Sequence, residues 1–139
     1  MPKRWELTID GRLENLATIA DFVIKAAQTL GLSDRATFYV QMAVDEACTN
    51  IIQHSYEGEG KGEIAILCEL VDDDFVVTIR DHGRPFDPGA VPLPNLSASL
   101  AERQNEKLGL YFMRQLMDEV RFHFDVEGNE LTMTKKIGR

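Results

Sequence analysis

The stretch "AVDEACTNIIQHSY", residues 43–56, decides how this chain is read. An α-helix turns by about 100° per residue. Wound that way, Val40, Val44, Ala47 and Ile51 gather on one side, and Cys48 and Ile52 widen it into an apolar face that must be covered. The opposite side carries Glu46, with Asn50 ~40°, Gln53 ~20° and His54 ~80° away from it. A solvated helix face usually mixes lysine and glutamate. This stripe is one acid, two amides and an imidazole, flanked by Met42 and Ala43, and it reads either as a water-facing surface or as the wall of a cleft. Glu46 and Asn50, at i and i+4, sit about 6 Å apart. A carboxylate beside an amide oxygen suits a hard cation with phosphate, or a water held for proton transfer.

The flanking sequence supplies what such a helix would pack on. "RWELTID" (4–10) alternates, with Trp5, Leu7 and Ile9 on one side, as a half-buried strand does. Leu13, Leu16, Ala20, Val23, Ala27 and Leu30 recur in steps of three and four, which predicts an amphipathic helix stopped by Gly31. Ser33 is placed to cap the second helix, which runs to about residue 54. "GEIAILCELV" and "DFVVTIR" read as a hairpin turning at Asp72, Asp73 and Asp74. Residues 82–106 hold four of the five prolines and lack clear periodicity, the mark of a functional lid or a disordered segment. Its last part, "SASLAERQNE", can form a short helix. A helix over 108–120 and a hairpin of "VRFHFDV" and "ELTMTKKI" around "EGN" complete the order β-α-α-β-β-lid-α-β-β. That order predicts an α+β two-layer sandwich, a mixed and mostly antiparallel sheet with helices on one face.

Composition narrows the function. The 139 residues fit one domain, 44% hydrophobic and 27% charged, as in ordinary globular proteins. The net charge of -8 argues against a nucleic-acid binder, whose footprint is basic. Cys48 and Cys68 lie in apolar runs and read as buried thiols of a reducing compartment. The start has no apolar core of signal-peptide length, and no run approaches ~18 apolar residues, so the expectation is a cytoplasmic protein without membrane contact. Neither the dinucleotide fingerprint nor the P-loop is present. His82 and His123 lack zinc-ligand spacing with the cysteines. "DDD" at 72–74 reads as a solvated turn, and Met113 and Met117 as core.

Two further constellations carry chemistry. In "RDHGRPFDP" (80–88), Asp81 ends a strand and can accept a hydrogen bond from an exocyclic amine, while Gly83 allows close backbone approach; an Asx-type turn is the alternative. In "KLGLYFMRQLMDEV", Gly109 is expected at or near a helix N-terminus, where unpaired N–H groups attract phosphate, and a plain loop-to-helix junction is the alternative.

Together, in this order, the three pieces resemble the GHKL ATP-binding fold, and within it the anti-sigma-factor serine/threonine kinases of the RsbW type. The helix resembles the family's E-x-x-x-N followed by a His and an aromatic (Glu46, Asn50, His54, Tyr56). The second piece resembles D-x-G-x-x-F-D-P (Asp81, Gly83, Phe86, Asp87, Pro88). The third resembles its glycine-containing loop with a "LMDEV" ending (Gly109, Leu116 to Val120). The resemblance covers nearly the whole chain, 1–139, as a single ATP-binding domain. It implies Asn50 as the Mg²⁺ ligand, Glu46 as general base, and Asp81 on the adenine amino group with Gly83 and Phe86 beside it. It also implies an ATP lid over about 84–106 and phosphate contacts at Gly109 and Lys107. The implied partners are a sigma factor, a STAS-type antagonist that is phosphorylated, and a second copy in a homodimer. The family usually has one or two further glycines just before Gly109, where this chain has Glu106, Lys107 and Leu108. That departure motivates the alternative, a catalytically weak or inactive nucleotide-binding partner-switching module. A histidine-kinase ATP-binding part is a third reading, which lacks its helix-hairpin phosphoacceptor segment here.

Overall fold

A computed structural model describes residues 4–84 and 105–137, with side chains given for all of these except 105–109. Strand β1 (Arg4–Asp10) leads through a short turn of 3-10 helix into α1 (Leu16–Thr29) and α2 (Asp34–Asn50), the latter extended by a π-type turn, Ile51–Ser55. The hairpin β2 (Glu63–Val71) and β3 (Asp74–Asp81) follows, then α3 (Asn105–Leu116), β4 (Glu119–Asp125) and β5 (Gly128–Lys136). The predicted lid, and with it Phe86, Asp87 and Pro88, lies outside the described residues apart from Arg84 at one end and the start of α3 at the other.

The sheet order is β1-β2-β3-β5-β4, and every pairing is antiparallel. The parallel component expected from the sequence is absent among the described strands. Parity explains this. Two hairpins, a pair of helices between β1 and β2, and the single crossover through α3 make neighbouring strands alternate in direction across the whole sheet.

One face of the sheet is apolar. Ile64, Ile66 and Cys68 of β2, Phe75, Val77 and Ile79 of β3, and Leu131 and Met133 of β5 are buried there. They meet Ile19 and Val23 of α1, Val40, Val44 and Cys48 of α2, and Met113 and Met117 of α3. Alternation along each strand gives the sheet half of this core, and the three-to-four spacing along each helix gives the other half. Both thiols are free, and burial pushes that of Cys68 up to about 12, so neither is poised to react.

Local signals fix the element ends. The Ser33 hydroxyl accepts from the Ala36 N–H at 3.2 Å and caps α2, and Gly31 takes φ 105°, which ends α1. Asp72 and Asp73 take positive φ (50° and 71°), the pair that a two-residue hairpin turn requires and aspartate tolerates.

The central side chain of the sheet sets a test of this packing. Phe75 is fully buried, so Phe75→Ala should lower the unfolding free energy by about 3–5 kcal/mol. Urea denaturation with an unchanged midpoint would contradict the placement.

Candidate active site

The end of α2 does not stay α-helical. After Asn50 the ladder widens, and the Tyr56 N–H reaches back to the Ile51 carbonyl at 2.8 Å, five residues away. Such π-turns cost regular hydrogen bonding and redirect side chains. Here the redirection turns His54 and Ser55 into the cleft and leaves Gln53 exposed. The stripe drawn on an ideal helix therefore holds for Glu46 and Asn50 and breaks after them. Ala43, expected at its edge, is wholly buried in the core, while Met42 is exposed.

The cleft, a cavity of about 70 Å³, lies between this helix end, α3 and the strands β3, β4 and β5. Its walls are apolar, from Ala47 and Ile51 on α2, Met113 on α3, and Phe122 and Phe124 on β4. Asn50 and Asp81 both line it, so two residues 31 positions apart in sequence are brought to one site. Glu46 stands one turn earlier on α2, half-buried and outside the residues lining this cavity; burial and the neighbouring Asp45 raise its carboxyl above the usual range.

Asp81, the last residue of β3, is 4% exposed. Its Oδ1 accepts the Gly83 N–H at 2.9 Å and the Asn129 side-chain amide at 2.9 Å. The same amide donates to the Gly83 carbonyl at 3.1 Å and the Arg84 carbonyl at 3.3 Å. Among the described residues nothing donates to Oδ2. A buried carboxylate with one oxygen occupied and the other open in an apolar cleft is an acceptor waiting for a donor. Burial raises its carboxyl above the ordinary range, and the hydrogen bonds from Asn129 and Gly83 partly oppose that.

Asn129 and the two phenylalanines were not singled out in the sequence. Asn129 pairs with Asp81 across the β3–β5 register, a relation visible only once the strand order is known. Phe122 and Phe124 share the inward side of β4, a pattern that "VRFHFDV" does carry.

Gly83 serves the frame. A Cβ built on it would lie 2.5 Å from the Ser55 carbonyl oxygen and 2.8 Å from the Ser55 Cβ, and the next residue's N–H donates to that carbonyl at 2.8 Å. On its Cβ side, Gly83 is therefore approached by the end of α2. Tyr56 completes the joint: its hydroxyl donates to the Glu63 carbonyl at 2.6 Å and accepts the His82 N–H at 2.9 Å. Gly109, expected at a helix start, lies inside α3, which is described from Asn105; the favourable helix formers in "NEKLGL" carry the helix back past it. The Lys107 side chain lies outside the described residues.

The model of the histidine kinase-like ATPase domain matches residues 9–135. The chain belongs to that family. It is 33% identical over 138 residues to a serine-protein kinase RsbW of Bacillus cereus, covering 96% of this chain and 85% of the relative. RsbW proteins of Bacillus thuringiensis and Bacillus anthracis match over the same shares at the same identity. In fold it is similar to a crystal structure of the RsbU and RsbW domains from Mycobacterium tuberculosis, with a TM-score of 0.72 at 18% identity. It covers 33% of that longer chain.

Two outcomes check the site. Gly83→Ala should destabilise the fold, because the added methyl meets backbone and not a movable side chain; a melting temperature within a degree or so of wild type would contradict the joint. Asp81→Asn should keep the Oδ1 bonds and remove the buried charge. The raised carboxyl pKa means that wild-type stability is lost as pH rises through it, so the variant should melt higher than wild type at about pH 7 and alike near pH 3. Adenine nucleotide binding, followed by calorimetry, should fall in that variant.

Proposed function

We propose that the chain is an anti-sigma factor with ATP-dependent serine/threonine protein kinase activity, a single ATP-binding domain acting in the cytoplasm. It holds a sigma factor and phosphorylates a STAS-type antagonist. Membership of the histidine kinase-like ATPase family and the likeness to RsbW serine-protein kinases support the class. The observation that carries it is the open Oδ2 of Asp81 in an apolar cleft shared with Asn50. An aromatic heterocycle bearing an exocyclic amine satisfies both features.

In this reading the adenine amine donates to Asp81, and its ring lies among Ile51, Met113 and the β4 phenylalanines. Asn50 would offer its amide oxygen to Mg²⁺, which would supply neutralisation of phosphate charge, and a Mg²⁺ bound with substrate phosphates needs few protein ligands. Glu46 takes the proton of the acceptor hydroxyl. That oxygen bonds to the γ-phosphorus as the bond to the β–γ bridging oxygen breaks, and ADP leaves. Phosphoryl transfer asks chiefly for positioning and charge neutralisation, which so small a domain can supply. Phe86, Lys107 and Gly109 are assigned to nucleotide binding with the lid about 84–106, and two copies form a homodimer. No helix of the described residues is long and apolar enough to cross a membrane.

Glu106 and Lys107 in place of glycine favour a second reading, a partner-switching module with weak or no transfer. Glu46→Gln separates the two. It should bind Mg·ATP nearly as wild type does and transfer phosphate to the cognate antagonist roughly 10²–10⁴-fold more slowly in single turnover. Asn50→Ala should instead weaken Mg·ATP binding. Equal transfer by Glu46→Gln and wild type would remove Glu46 as the base. A wild-type protein that binds its partner tightly and transfers nothing would leave the module reading.

A further inference from the structure

At the far end of α2 from the nucleotide cleft lies a second, larger cavity of about 720 Å³. Its lining runs from the α1–α2 junction to the last residues of β5. Fifteen helical residues separate Arg35 from Asn50, about 22 Å along the axis at 1.5 Å per residue, so the two sites are distinct.

In a chain of net charge -8 this cavity is lined by Arg35, Lys135 and Lys136. Tyr39 holds the first two in place. The Arg35 Nε donates to its hydroxyl at 2.9 Å, and the Lys135 ammonium sits 5.2 Å from its ring centre while donating to the Leu116 carbonyl at 2.7 Å. Among the described residues none of the three cations pairs with a carboxylate. The one acid among the described lining residues, Asp118, accepts the Lys136 backbone N–H at 2.8 Å and forms no ion pair with the three cations, so cations outnumber acids in the lining. Leu32 and Ile137 add apolar wall. A lining with an excess of cations, two of them held against an aromatic ring, complements an extended anionic chain with some apolar side chains.

We propose that this groove docks an acidic polypeptide segment of a protein partner, at the end of the molecule remote from the nucleotide. The proposal stands apart from the kinase reading, since neither Glu46 nor Asn50 enters it. Its occupant and ATP bind at the same time.

The test uses the full chain and fluorescein-labelled hexaglutamate, read by anisotropy at low salt. Arg35→Glu and Lys136→Glu, both at exposed positions, should each weaken binding about tenfold or more, while Mg·ATP leaves it unchanged. Lys25→Glu, an exposed reversal on α1 away from the groove, carries the same change in net charge and should alter binding less than twofold. Equal losses in all three variants would mean attraction by net charge alone. No loss in Arg35→Glu and Lys136→Glu, or no binding by wild type, would overturn the groove as a docking site. Displacement of the peptide by stoichiometric inorganic phosphate would make it a small-anion site instead.

Discussion

A single buried carboxylate organises this protein. Asp81 ends the strand at the centre of the sheet, and burying it carries a desolvation cost that its hydrogen bonds partly offset. Among the described residues those bonds reach one oxygen only. Asn129, across the β3–β5 ladder, spends its amide on Asp81 and on the two carbonyls that follow, so the carboxylate and the turn after it are fixed by one side chain. The remaining oxygen is the one proposed to take the adenine amine. A group stabilised on both oxygens would make a sturdier empty protein and a poorer receptor for an amine.

The helix that faces Asp81 is joined to the same turn by a close backbone contact and by side-chain hydrogen bonds. The π-turn lifts the Ser55 carbonyl to meet the Arg84 N–H, and only a glycine at 83 lets the two chains approach. Tyr56 ties that helix end to the start of β2 and to His82 beyond β3. The distance between Asn50 and Asp81 is therefore set by a short chain of hydrogen bonds through Ser55, Gly83 and Tyr56.

Much of the architecture was legible because it rests on periodicity. The alternation in "RWELTID" and the three-to-four spacing from Leu13 to Leu30 are local, and each element formed close to where that spacing puts it. Asp81, at the end of an apolar strand, was legible for the same reason. What escaped was non-local or irregular. Asn129 depends on β3 pairing with β5 and not with β4, and no local pattern states strand order. His54 and Ser55 reach the cleft, and Gln53 does not, because the helix widens where an ideal wheel assumes α geometry. Gly83 was legible as a point of close approach, but what approaches it is the backbone of α2. The basic groove was missed because Arg35 and the two lysines lie a hundred residues apart.

The central claim is that Asp81 offers an open acceptor to an exocyclic amine. Calorimetry of ATP against inosine triphosphate tests it directly, since the two differ at that group: the 6-amino donor becomes a carbonyl acceptor that faces the carboxylate. Two buried acceptors in contact leave both unsatisfied, at a cost of about 1–3 kcal/mol or more for a charged group. ATP should bind at least tenfold more tightly than inosine triphosphate with Mg²⁺ present. Equal affinities would place the base elsewhere and leave Asp81 as a structural residue of the β3 turn.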